Sequence, residues 1–303
     1  MDPTSSHVNG THSLWRIFGL NAALMVVLGG LFLASQWFDV REQEMRRLEL
    51  LDTQLHISTE QLIANVSREM MVLERVLSSE GKELWRGSLD SALGRHPSLV
   101  SLMVVPFADY RGSSLRQIGV GRSCSWQLTQ PEAQALPGRS SLLFGSALPL
   151  ASGQPGLPFY RHMDIEGMSW LLIGCLDFSE SRSLLANPNS DDGQRLRLFS
   201  TNGLLLFSSP QEHALGVTGK LPLSSMANMG KYISERGVRR YHVPGFDGRP
   251  RMAAGSYIAP LKLFSVVSQP LSSLWWLWWN RIWFGMLLGG IFLVVLVVVV
   301  ARA

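Results

Sequence analysis

Two runs without a single charge bracket this chain. "IFGLNAALMVVLGGLFLASQW" fills Ile17 to Trp37, and "IWFGMLLGGIFLVVLVVVVA" fills Ile282 to Ala301. An α-helix rises about 1.5 Å per residue, so some twenty apolar residues match the roughly 30 Å hydrocarbon layer of a bilayer. Both runs are therefore expected to be transmembrane helices. The first also invites reading as a cleaved signal peptide, but it exceeds the roughly 7–15 residues of a signal core, and "LAS" before Gln36 is a poor cleavage site. Arg16 and Arg302 lie on one side of the two spans, and Arg41, Arg46, Arg47 and Arg281 on the other. That count opposes the loop's export, yet long loops translocate largely regardless of charge. The loop from Phe38 to Arg281 is accordingly placed outside the cytoplasm, as the periplasmic part of a two-pass protein of a bacterial inner membrane, with the lipid bilayer as a partner. The expected division is a cytoplasmic tail at 1–16, a first span at 17–37, a stalk at 38–80, a membrane-distal module at 81–192, a membrane-proximal module at 193–273, and an aromatic belt with the second span at 274–303.

The stalk follows from spacing. Between the first span and Gly81 there is neither proline nor glycine, and Leu48, Leu51, Leu55, Leu62, Val66, Leu73 and Leu77 recur at steps of three, four and seven. That is an apolar stripe on one long helix, about 60 Å over some forty residues. Ser58 and Asn65 interrupt a tight coiled-coil seam. The helix is expected to pack along its own domain or against its copy in a homodimer.

Past Gly81 the texture changes to short β-type runs set off by glycine and proline. Leu99 to Phe107, Arg116 to Ser123, Ser141 to Leu150, Phe159 to Gly167 and Ser169 to Ser179 read as strands of one antiparallel sheet. "SESRSLLANP" reads as a connecting helix. A second, shorter series covers Arg195 to Pro210, Arg239 to Ala259 and Lys262 to Pro270, with "STNGL" and "GFDGRP" as hairpin turns, since Asn-Gly and Asp-Gly tolerate positive φ. The fold class is α+β, a long N-terminal helix with two antiparallel-sheet modules between two membrane helices.

The chemistry of the loop is that of recognition. A net charge of +4 without basic blocks interleaved with aromatics makes no case for nucleic acid. The seven histidines are scattered singly, and no nucleophile elbow, phosphate loop or metal-spaced cluster is present, so neither enzymatic activity, metal nor cofactor is expected. A site for a small charged molecule needs a guanidinium for a carboxylate, a carboxylate for an amine, and aromatic walls. Arg122 and Arg161 offer the guanidinium, and Trp126, Tyr160 and Trp170 the aromatic walls. An oxidising compartment favours pairing Cys124 with Cys175, two reduced thiols being the alternative.

This order of parts resembles the double CACHE (PAS-like) sensor domains of bacterial membrane receptors. "WLLIGCLDFSES" is similar to the strand that closes that family's distal module, whose glycine and aspartate fall here at Gly174 and Asp177. "LRLFSTNGLLLFSSPQEHALG" is similar to the strand, turn and strand of the proximal module, and "FDGRPRMAAGSYIAPLKLFSVVSQPLSSLW" to the closing hairpin. The resemblance implies an extracytoplasmic sensor with a small-molecule ligand, an amino acid or carboxylate. In the amino-acid-binding branch the matching aspartate, Asp177, takes the ligand's ammonium; the Arg and Trp/Tyr pair of that branch is not at its usual spacing here. The implied output is a cyclic-di-GMP cyclase or phosphodiesterase, or else a histidine kinase or chemotaxis domain, outside these residues. "RSCSW" is also similar, more faintly, to the cysteine-bearing sensor of some cyclic-di-GMP phosphodiesterases, with Trp126 where a serine should stand. A stand-alone membrane-anchored binding or assembly protein is the alternative.

The spans share "LGGLFL" and "LGGIFL", which set Gly29 and Gly30 at the depth of Gly289 and Gly290, with Gly285 four residues before Gly289. Small residues let helices approach closely, so helix packing is expected there. Trp275, Trp276, Trp278 and Trp279, with Arg281, form an aromatic belt that anchors the second span at the interface.

Overall fold

The computed structural model describes residues 5–107, 118–121, 136, 142–150, 155–178, 193–210, 238–244 and 248–302. The chain divides into two compact units, residues 47–270 and, separately, residues 1–46 with 271–303.

Helix α1 (Ser5–Ser79) is one element of 75 residues, so first span and stalk are continuous rather than two helices. Nothing between Gly30 and Gly81 breaks the backbone ladder. Every member of the expected stripe is buried, Leu51 at 8% exposure being the most open. The rows between them are filled by Asp52, Thr59 and Met70, also buried. At the C-terminal end, Trp85 Nε1 donates to the carbonyls of Leu77 at 3.0 Å and Glu80 at 3.3 Å, satisfying groups the helix leaves open. Trp85 opens α2 (Trp85–Arg95), which packs on β1 and β2.

Two antiparallel sheets follow in chain order. The distal sheet contains β1 (Leu99–Pro106), β2 (Ile118–Gly121), β3 (Leu143–Phe144), β4 (Leu148–Pro149), β5 (Pro155–Ile165) and β6 (Met168–Leu176), in spatial order β2-β1-β6-β5-β3 with β4 also on β5. The single strand expected over 141–150 is instead two two-residue strands whose registers on β5 differ by one residue, Phe144 lying opposite Phe159 and Leu148 opposite Gly156. β5 and β6 close on a two-residue turn with positive φ at both Glu166 (52°) and Gly167 (74°), the geometry that matches strand twist. The proximal sheet contains β7 (Arg195–Ser200), β8 (Leu205–Ser209), β9 (Val238–Pro244), β10 (Pro250–Ile258) and β11 (Leu263–Pro270), ordered β8-β7-β11-β10-β9. Both expected hairpins are present, with Gly203 at φ 87° and Gly248 at φ 71°. The connecting helix expected over "SESRSLLANP" lies outside the described residues.

β11 leads directly into α3 (Leu271–Arg302). α1 and α3 each carry a stretch long and apolar enough to cross a bilayer. In the unit that holds those stretches, the two helices meet through aromatic rings: Trp37 lies 4.9 Å from Trp275 and 5.9 Å, edge-on, from Trp278. Trp278 Nε1 donates to the Leu33 carbonyl at 3.3 Å, and Arg281 Nη1 to Gln43 Oε1 at 3.2 Å. Trp276 and Trp279 are exposed. At Gly29, Gly30, Gly285, Gly289 and Gly290 a Cβ would meet no atom within 4 Å, so the glycines are not where the two helices of one chain approach.

Candidate functional site

Strand alternation sorts the sequence candidates of the distal module before any contact is considered. The β5–β6 register sets Tyr160 opposite Ile173 and Arg161 opposite Leu172, so Tyr160 and Arg161 lie on opposite faces. The β1–β6 register puts Val104 with Leu172 and Pro106 with Trp170, hence Arg161 and Trp170 share one face.

That face packs on α1 and α2. Arg161 Nε donates to Glu74 Oε2 at 2.7 Å, Nη2 lies 2.6 Å from the same oxygen, and the guanidinium is nearly buried. The Trp170 ring stands edge-on to Trp85 at 5.0 Å, with Lys82 Nζ 5.0 Å from its centroid. Trp170 Nε1 is buried and makes no hydrogen bond among the described residues. A Cβ on Gly174 would overlap the Phe159 ring, so only glycine admits that ring to the layer. Arg161 and Trp170 thus hold the sheet to the helices.

The other face is apolar and aromatic. Val105, Leu136, Tyr160, Leu171 and Ile173 form a buried cluster with Met103, Phe107 and Leu143 around it. Tyr160 is fully buried, and Gly145 lies so close that a Cβ would come 2.9 Å from its ring. His162 stands edge-on to Phe107 at 5.1 Å. Along β6 the alternation runs Leu171, Ile173, Cys175 and, just past the strand, Asp177, which is 2% exposed and whose N–H donates to the Ser98 carbonyl at 2.8 Å. Tyr160 and Asp177 therefore belong to one side of the sheet, with an apolar floor between them. Cys175 is disulfide-bonded. Arg122, Cys124 and Trp126 lie outside the described residues. Among the described residues no three His, Cys, Asp or Glu side chains form a group able to hold a metal ion.

The proximal module holds polar groups that residue-type reasoning passes over. Asp52 of α1 is 6% exposed and accepts from Ser265 Oγ of β11 at 2.6 Å. Ser265 Oγ is 2.8 Å from Ser256 Oγ of β10, and Ser256 Oγ is 3.2 Å from His56 Nδ1. Burial raises the Asp52 pKa above its ordinary 3.8; hydrogen bonds from Ser265 and Ser256 and the His56 charge oppose that rise, and Glu49 adds to it. On the sheet's opposite face, Arg251 Nη1 donates to the Gly193 carbonyl at 2.9 Å and Arg197 Nη1 to Ser268 Oγ at 3.5 Å, both guanidinium groups nearly buried. A signal for Asp52 was present in the sequence, since it falls on the buried rows of the α1 stripe.

No family model matches the sequence, and no curated protein is similar to it in sequence. Solved structures are similar in fold. The extracellular domain of the candidate histidine kinase soHK1S-Z6 superposes with a TM-score of 0.54 at 13% identity, covering 79% of this chain and 98% of that one. That of the candidate histidine kinase rpHK1S-Z16 gives 0.55 at 12% identity, over 76% and 95%. The ligand-binding domain of the Campylobacter jejuni chemoreceptor Tlp3, in complex with L-valine, gives 0.52 at 9% identity, over 79% and 97%. The long helix and two successive antiparallel sheets are therefore the fold of extracellular sensory domains of this kind.

Proposed function

We propose that the chain is the extracytoplasmic sensing module of a bacterial transmembrane receptor, a double CACHE domain whose distal sheet binds a small ligand. The observation that carries this reading is the string of long helix, distal sheet and proximal sheet, which covers nearly the whole length of sensory domains from receptors. The two apolar helices cross the inner membrane, and the modules between them lie in the periplasm.

The ligand side is the face of Tyr160 and Asp177. An apolar floor of Leu171 and Ile173 suits a short hydrocarbon side chain, and a carboxylate at its end suits an ammonium group. An amino acid meets both demands, and the Tlp3 domain is known in complexes with L-valine and isoleucine. Arg122 would take the ligand's carboxylate and Trp126 would form a wall. Cys124 pairs with Cys175 and staples the distal module. The protein works as a homodimer joined along α1, where Leu50, Ile57 and Met71, seven and fourteen residues apart, are exposed. The glycine steps of the spans serve contacts between copies. The output is a cyclic-di-GMP cyclase or phosphodiesterase, in keeping with the sequence resemblance, and is not among these residues.

The test is a thermal-shift screen of the full chain in detergent against single amino acids and small carboxylates. A ligand raises the melting temperature by mass action, about 2.7 kcal/mol of added stability at a hundred times Kd. A shift present in the wild type and absent in Asp177→Asn supports the reading. No shift with any compound, or one unchanged by Asp177→Asn, rejects it.

A further inference from the structure

A line of polar side chains crosses the proximal module from its interior to its surface. It starts at the Asp52 carboxyl on α1, passes through Ser265 of β11 (2.6 Å) and Ser256 of β10 (2.8 Å), and returns to α1 at His56 (3.2 Å). His56 Nε2 lies 3.4 Å from Glu60 Oε1, and the Glu60 side chain is 53% exposed. Each serine hydroxyl has one proton to give, so the chain points one way at a time. With Asp52 ionised, His56 Nδ1–H donates to Ser256, Ser256 to Ser265, and Ser265 to the carboxylate. With Asp52 protonated, its O–H donates to Ser265 and the chain ends on the Nδ1 lone pair of His56.

We propose that Asp52, Ser265, Ser256 and His56 form a proton relay that makes the grip of α1 on strands β10 and β11 depend on pH. In the transfer the Asp52 O–H bond breaks and its proton passes to Ser265 Oγ. The Ser265 proton passes to Ser256 Oγ, and the Ser256 proton to His56 Nδ1. Acid and neutral imidazole thus become carboxylate and imidazolium without change of net charge. Release of the imidazolium proton to solvent then leaves a buried carboxylate facing the two serine hydroxyls and a neutral ring. Among the described residues the charged groups that face Asp52 are His56 and Glu49, both on α1, while β10 and β11 present the hydroxyls of Ser256 and Ser265. Burial disfavours the ionised form, so deprotonation loosens the contact between helix and strands.

The location gives the relay a consequence. β11 ends at Pro270, where α3 begins, and α1 carries the other apolar stretch. The relay therefore ties together the two elements through which residues 47–270 continue into the apolar helices.

The experiment follows the protonated-carboxyl C=O band of the full chain in detergent by infrared spectroscopy during a pH titration, with Asp52→Asn to identify the band. In parallel, hydrogen exchange is measured at the β11 amides. The wild-type band is expected to persist above the ordinary aspartate range, and β11 protection to fall as the band disappears. His56→Gln and Ser265→Ala each remove a group that favours the carboxylate, and are expected to move the midpoint upward. A midpoint in the ordinary range, or a fall in β11 protection with the same midpoint in Asp52→Asn, overturns the proposal. If Asp52→Asn does not fold, Ser265→Ala decides: an unmoved midpoint overturns it.

Discussion

Phe159 and Gly174 sit opposite each other across β5 and β6, and the ring occupies the space a side chain at 174 would need. Gly174→Ala forces the ring or the strand to shift, an overpacking that costs on the order of 1–3 kcal/mol. Urea unfolding should show that loss as a lower midpoint at unchanged slope. The pairing of Arg161 with Glu74 makes a different kind of prediction, because the guanidinium is buried and its carboxylate comes from another element. Glu74→Ala leaves the buried cation without that partner and should destabilise the chain by about 3 kcal/mol, again read by urea unfolding. The melting shift expected from the proposed distal-face ligand should survive in this variant, since Arg161 faces α1 and not the Tyr160 side. The candidate site was legible in the sequence only as chemistry. Tyr160 and Arg161 are neighbours in a strand, and pleating sends neighbours to opposite faces, so a list of suitable residue types could not tell which of them share a surface. Glu74 was invisible as a partner for Arg161 because helix periodicity reports which positions are apolar, not which distant cation a stalk carboxylate meets.

At the scale of elements, the α1 stripe was readable to the residue because the 3.6-residue period is a local property of sequence. Asp52 and Thr59 escaped it for the same reason: apolar spacing scores a buried carboxylate as an interruption, and the hydroxyl that satisfies Asp52 lies on the last strand of the sheet. The strand pairs likewise followed from local signals where Asn-Gly and Asp-Gly set tight turns, and failed over 141–150, where a one-residue change of register on β5 divides one expected strand into two. The helix also carries an outer row, Leu50, Ile57 and Met71, that its own sheets do not cover. Ile57→Asp places a charge in that row without touching the buried one. It should convert the proposed homodimer to monomer in light scattering while leaving the melting temperature of a dilute sample almost unchanged. A species that remains the same size in both proteins would remove the α1 row as the dimer contact.

Residues 47–270 form one unit that holds the distal sheet, the proximal sheet and the part of α1 from residue 47 to residue 79, and Asp52 gives that unit a pH dependence of definite sign. Its pKa is higher folded than unfolded, where it is near 3.8, so the folded state holds more proton between those two values. Stability from this group is complete below the unfolded value and is lost as pH rises through the folded one. Asp52→Asn should therefore flatten the decline in melting temperature over that window and be the more stable protein above it. The same proton offers a readout of coupling between modules. If a distal-face ligand alters how α1 lies on the proximal sheet, it changes the free energy of burying the Asp52 carboxyl, and the Asp52 midpoint must move when ligand binds. Linkage then requires the converse, that proton binding changes ligand affinity by the same factor, so a midpoint shift of one unit corresponds to about a tenfold change in Kd across the titration. Calorimetric titration at pH values on either side of the midpoint, in wild type and in Asp52→Asn, measures both halves of that equality. A pH-dependent affinity that disappears in Asp52→Asn means the distal ligand is felt at the strand that enters α3, whereas affinities with the same pH dependence in both proteins mean that the two modules titrate and bind independently.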